Sequence, residues 1–155
     1  MNYFESINPT NGKIIKEYLA LSEAEINEIL LNTYNSFDSW RKNSVDERST
    51  YFLEIAEIID QKKNELSELL AAEMGKPIMQ GKVEIEKCVF LCRYYAKNAS
   101  LFLKDDIIKT EASKSYATFQ PLGIILGIMP WNFPFWQVFR FAVPTMIAGN
   151  TILLK

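Results

Sequence analysis

The spacing of apolar residues changes along the chain, and each change marks a different kind of element. Two short β-like runs, Phe4 to Ile7 and Ile14 to Leu19, flank Asn8-Pro9-Thr10-Asn11-Gly12-Lys13. Asn-Gly favours positive φ at both central positions of a tight turn, so this region predicts an N-terminal β-hairpin arm. Beyond it the period becomes helical. Ser22-Glu23-Ala24-Glu25 fits a capping box, and Ile26, Ile29, Leu30, Thr33, Phe37 and Trp40 follow on one face. Ser44-Val45-Asp46-Glu47 repeats the device, and Tyr51, Phe52, Ile55, Ile59, Leu66, Leu69 and Leu70 predict one longer helix running to Glu73-Met74-Gly75-Lys76-Pro77. Gly75 suits the left-handed position just past a helix end, and Pro77 prevents continuation. A third helix is expected from about Pro77, with Ile85, Cys88, Val89, Cys92, Tyr95 and Ala99 along one stripe.

Around Leu103 the pattern shifts to two β-like runs, Ile107 to Thr110 and Ser115 to Gln120, which predict an exposed hairpin or edge ribbon suited to pairing with another chain or another part of the protein. From Leu122 to Leu154 the only fully charged side chain is Arg140. A membrane span of roughly 20 apolar residues would fit that length. Against it stand Pro130, Pro134 and Pro144, Asn132 and Gln137, and an arginine that costs about 2.5–3.5 kcal/mol at a bilayer centre. The pattern favours a buried strand from Gly123 to Met129, a helix with Pro134 at its first position, a stop at Gly149-Asn150 and a second strand from Thr151 to Leu154. That is the beginning of a βαβ unit, whose ligands sit at the carboxyl ends of the strands. The fold class expected is therefore α/β: a helical N-terminal segment, a β ribbon and the first portion of a Rossmann-like parallel sheet.

Composition narrows the chemistry. The chain has 155 residues, 48% hydrophobic and 23% charged, a globular balance of single-domain size. A net charge of -2 gives no basic excess for nucleic-acid binding. There is no histidine, so Ser-His-Asp and Cys-His catalysis and His-based zinc sites are excluded within these residues. Cys88 and Cys92 make at most half of a structural zinc site and are read as reduced core thiols. The opening Met1 to Lys13 lacks the basic and apolar runs of a signal peptide, which points to a cytoplasmic protein.

Three polar residues stand at the carboxyl edge of the expected sheet or on its helix. Asn132 can donate two hydrogen bonds to a developing oxyanion, or can cap the helix that begins near Pro134. Arg140, among Phe135, Trp136, Val138, Phe139 and Phe141, needs an anionic partner, either an Asp or Glu of the protein or the carboxylate of a substrate. Lys155 can bind phosphate or ribose hydroxyls, or is a solvated strand end. No Gly-x-Gly-x-x-Gly fingerprint is present; Gly123 and Gly127 are better read as allowing close backbone approach.

The run from Pro121 to Lys155, with Pro-Trp-Asn-Phe-Pro followed at a distance by Ala-Gly-Asn-Thr and a terminal Lys, resembles the strand, loop and helix signature of aldehyde dehydrogenases. Glu73 to Pro77 and Ser44 to Arg48 fit that family's upstream helices, so the likeness covers essentially the whole chain. The resemblance implies residues 1–102 as N-terminal arm and helices, 103–120 as an oligomerisation ribbon, and 121–155 as the start of the dinucleotide-binding core. It also implies that Met129, Pro130, Trp131 and Asn132 adjoin the nicotinamide ribose of NAD or NADP, with Asn132 supplying the side-chain half of an oxyanion hole. Lys155 matches the lysine that contacts the adenosine ribose hydroxyls or 2′-phosphate. Arg140 matches the arginine that holds the distal carboxylate in succinate-semialdehyde dehydrogenases, the subgroup most resembled.

The implied reaction oxidises a small-molecule aldehyde to an acid in a homo-oligomeric enzyme, with no membrane or nucleic-acid partner. Neither Cys88 nor Cys92 matches the family's nucleophile, and no residue here matches its general base. The expectation from sequence is thus a fragment, inactive alone, of such an enzyme; the alternative is a non-catalytic module that associates with a full-length relative.

Overall fold

A computed structural model describes residues 3–155. The N-terminal arm is a hairpin of β1 (Tyr3–Ile7) and antiparallel β2 (Ile14–Leu19), with a register shift between Ser6 and Ile7. Its turn differs from the expected form, because only Gly12 takes a positive φ, 69°. Asn8 and Asn11 act through their side chains instead: Oδ1 of each accepts a backbone N–H two residues on, from Thr10 and Lys13, both at 2.9 Å.

Four helices follow where three were expected. Helix α1 (Glu23–Trp40) and helix α2 (Val45–Gln61) both start with complete capping boxes, on Ser22–Glu25 and Ser44–Glu47. The long second helix divides at Lys62 (φ −89°, ψ 7°), and helix α3 (Lys63–Met74) continues from there. No Gly or Pro lies near this break, so the bend comes from packing. It brings α3 onto helix α4 (Ile78–Phe102) at Gly81, where an added Cβ would lie 3.2 Å from the Ser67 Cα. Gly75 ends α3 in the left-handed conformation at φ 70°, as its position predicts.

Strands β3 (Asp106–Ile107) and β4 (Tyr116–Ala117) form the ribbon, each only two residues long. The longer runs expected from the sequence do not pair throughout, because exposed residues such as Ile107 have no apolar face among the described residues to pack against. Strand β5 (Ile124–Gly127), helix α5 (Pro134–Ile147) and strand β6 (Thr151–Leu154) complete the βαβ unit, and β5 pairs with β6 in parallel. Strand β5 is shorter than expected and only partly buried, with Leu126 exposed. Among the described residues no helix is long and apolar enough to cross a membrane.

The core lies between α2, α4 and α5, formed by Phe52, Ala56, Val89, Cys92, Ala99, Val143 and Ile147. One buried polar side chain fixes the βαβ unit to it, and a second closes that unit on itself. Arg48 of α2 donates to the carbonyls of Ile147, at 2.7 Å, and of Asn43. Asn150 accepts from the N–H groups of Leu122 and Gly123 at 2.7 and 3.1 Å and donates to Thr145 O at 3.1 Å. The residue expected to stop the helix therefore also ties the exit of α5 to the entry of β5.

Gly127, at the end of β5, is required for a steric reason: an added Cβ would stand 2.4 Å from Cε1 of Phe141. Gly127→Ala should therefore destabilise the protein by about 1–3 kcal/mol. The Gly127→Ala/Phe141→Leu pair should lose less than the sum of its single changes, as read from urea denaturation midpoints.

Candidate active site

The loop between β5 and α5 carries most of the residues singled out from the sequence. Parallel pairing runs on past the strands, with Lys155 N donating to Gly127 O at 2.8 Å and Met129 N donating to Lys155 O at 2.9 Å. Pro130 has no N–H and ends the ladder, and the chain turns at Trp131 and Asn132 before Pro134 opens α5. Met129, Pro130, Trp131 and Asn132 thus lie with Lys155 at one edge of the sheet, the carboxyl ends of both strands. Trp131 is 79% exposed, and Asn132 and Lys155 are exposed as well.

Asn132 does not cap α5. The residue at the cap position is Phe133, which makes no side-chain cap bond. The cap comes instead from a different helix: Oε1 of Glu84, on α4, accepts from the N–H groups of Phe135 and Trp136, both at 3.0 Å. The helix dipole and two converging donors favour an anion there over a neutral carboxamide. Oε2 of Glu84 pairs with Lys76 Nζ, which also donates to the backbone oxygen of Asn132 at 3.4 Å and lies 4.0 Å from the Phe133 ring centroid. Glu84 is 4% exposed and Lys76 8%. The Asn132 carboxamide enters no hydrogen bond among the described residues.

Arg140 lies one turn along α5 from Trp136 and Gln137. No Asp or Glu pairs with it among the described residues, and it is exposed, so of the two partners left open by the sequence the structural acid is not seen there. A cavity of about 620 Å³ opens between α4 and α5, lined by Met79, Val83, Glu84, Lys87, Phe133 and Trp136 among others. Lys87 Nζ sits 3.8 Å from the Trp136 ring centroid at this opening. A second cavity of about 670 Å³ lies on the other flank of the loop, against Pro9, Leu70 and Trp131.

This arrangement can present a hydrogen-bond donor and a strand-end lysine to one ligand. The exposed loop and Lys155 fit the ribose end of a dinucleotide. The N-terminus of α5 does not fit its phosphates, because Glu84 already fills the position a phosphate would take. No group of three or more His, Cys, Asp or Glu among the described residues could hold a metal ion. Nor does either cysteine offer a nucleophile. Cys88 and Cys92 are free and fully buried, as expected for core thiols, and burial pushes both thiols up to about 12, with the nearby Glu84 charge adding to the effect on Cys88.

The sequence profile of the aldehyde dehydrogenase family matches residues 1–155. The chain belongs to the aldehyde dehydrogenase family. It is 43% identical over 150 residues to a probable NADP(+) succinate-semialdehyde dehydrogenase of Synechocystis sp., covering 97% of this chain and 33% of that relative. It is 37% identical over 153 residues to succinate-semialdehyde dehydrogenase [NADP(+)] 1 of Mycobacterium tuberculosis, covering 97% and 34%. The crystal structure of succinic semialdehyde dehydrogenase from Streptococcus pyogenes in complex with NADP+ superposes with a TM-score of 0.92 at 26% identity, over 97% of this chain and 33% of that one. The chain thus spans about a third of the length of the relatives it matches, and its structure is the N-terminal part of the aldehyde dehydrogenase fold.

Two residues of this aldehyde dehydrogenase chain that organise the loop, Lys76 and Glu84, were not picked out from the sequence. A signal for one was present: Glu84 lies four residues before Cys88 on the apolar stripe of α4, where an ionised side chain needs a partner. Nothing local assigns Lys76 to it.

The core position of the thiols gives a direct expectation. At neutral pH neither Cys88 nor Cys92 should react with iodoacetamide in the folded protein, and both should react in denaturant, as intact mass will show. Because the folded thiols hold their protons more tightly than unfolded ones, stability should fall as pH rises from about 8.5 toward about 12.

Proposed function

We propose that this chain forms the oxyanion-donor and substrate-carboxylate part of an NADP-dependent enzyme that oxidises succinate semialdehyde to succinate. The observation that carries the reading is the exposed, unengaged carboxamide of Asn132 at the carboxyl end of β5, in a loop pinned by buried side chains of another helix. It is supported by similarity to relatives named as NADP(+) succinate-semialdehyde dehydrogenases, which carries the choice of NADP and of substrate.

In this mechanism the Asn132 Nδ2–H donates to the oxygen of the aldehyde as negative charge develops on it. A donor already in place costs no reorganisation when the charge appears. Met129, Pro130 and Trp131 shape the surface beside the nicotinamide ribose, and Lys155 binds the adenosine ribose hydroxyls or the 2′-phosphate. The cofactor, when bound, accepts a hydride. Arg140, an exposed guanidinium with no acid of its own among the described residues, holds the distal carboxylate through paired, directional hydrogen bonds. The nucleophilic cysteine and the general base belong to other parts of the enzyme, since Cys88 and Cys92 are core thiols. The exposed ribbon of β3 and β4 supports pairing with a second subunit.

In the complete enzyme that carries this chain, Asn132→Ala should lower kcat roughly a hundredfold or more, by the loss of one oxyanion donor. An unchanged kcat would remove Asn132 from the mechanism. Arg140→Ala should raise KM for succinate semialdehyde about tenfold or more while leaving KM for a neutral aldehyde near its original value. Equal effects on both substrates would show that Arg140 serves the fold and not the carboxylate.

A further inference from the structure

The Lys76–Glu84 pair is an unusual way to begin a helix. Burying two charges is costly, and apolar residues of similar volume often serve stability as well or better. An Asn two residues before the first helical position could also supply a local side-chain acceptor at the helix start. Here Glu84 takes that task from a different helix, with one oxygen on the two amides of α5 and the other on Lys76. Lys76 then reaches the backbone oxygen of Asn132 itself. The pair therefore does two things to one residue: it sets a long contact of 3.4 Å on the Asn132 backbone oxygen, and it leaves the Asn132 carboxamide with no capping duty. Lys76 in turn is placed by the left-handed turn at Gly75 that ends α3, and Glu84 by the buried stripe of α4.

We propose that Glu84 and Lys76 are positioning residues for Asn132, a buried ion pair that caps α5 in place of Asn132 so that its amide stays aimed at the ligand. This rests on the reading of Asn132 as an oxyanion donor. Neither residue touches the reacting atoms; both act through the loop, where a displacement of about 1 Å can cost a hundredfold in rate.

The test uses the complete enzyme with succinate semialdehyde and NADP. The Lys76→Met/Glu84→Leu double variant removes both charges together, so its folded state should survive, with a melting temperature lowered by no more than a few degrees for the lost cap. Its kcat should nonetheless fall about a hundredfold, with KM changing far less. Lys76→Met/Glu84→Gln, whose amide oxygen can still accept from Phe135 and Trp136 and which leaves no unpaired Lys76 charge, should recover most of that loss. In an Asn132→Ala background the Lys76→Met/Glu84→Leu change should add little further loss, because the two act as one unit. A double variant that fails to fold, one that keeps the parent kcat, or losses that multiply in the Asn132→Ala background would each overturn the positioning role. If the parent enzyme oxidises no aldehyde, the functional reading itself fails. Hydrogen exchange then judges the pair separately: the amides of Phe135 and Trp136 should exchange at least tenfold faster in the double variant, and unchanged exchange overturns the proposal.

Discussion

Helix α5 is held at both ends by buried side chains of opposite charge, and the geometry of the loop depends on that constraint. At its N-terminus the Glu84 carboxylate accepts two amides; at its C-terminus the Arg48 guanidinium donates to the carbonyl of Ile147. Each charge is opposite in sign to the end of the helix dipole that it meets, an arrangement worth up to about 2 kcal/mol per end in partly buried geometry. Trp40 adds a third tie, its Nε1–H donating to Met146 O at 2.9 Å. These anchors come from α1, α2 and α4, so the helices that form most of the chain also position the one helix that follows the loop.

That clamp explains why a short segment rich in aromatic and proline residues can hold a defined turn. Pro130 ends the strand ladder and Pro134 starts the helix, which leaves Trp131, Asn132 and Phe133 to make the reversal. Short polar loops usually bind themselves together through Asn and Asp side chains, as the turn at Asn8 to Lys13 does. In the loop before α5 the restraint comes from outside, through Lys76 and Glu84, and the Asn side chain is spared. The same clamp closes the α5 N-terminus to phosphates, which separates this βα loop from dinucleotide folds that use the first helix as an anion site.

Much of the architecture was legible in the chain. Both capping boxes, the left-handed Gly75, the proline at the first position of α5 and the parallel pairing of β5 with β6 follow from local rules that the structure obeys. The misreadings share one cause. The break at Lys62 has no helix breaker to announce it, and the ribbon strands stop early for want of an apolar face among the described residues. Each outcome turns on residues far away in sequence.

Residue type and spacing alone determined the order of elements, the identity of the loop residues and the absence of histidine chemistry, because these rest on backbone geometry and on side-chain composition. Only the tertiary structure decided which group caps α5, that no Asp or Glu of the described residues partners Arg140, and that Lys76 and Glu84 hold the loop between them. The physical reason is that a buried charge takes whatever partner the packing of helices delivers, and α4 delivers Glu84 across 51 residues of chain to Phe135.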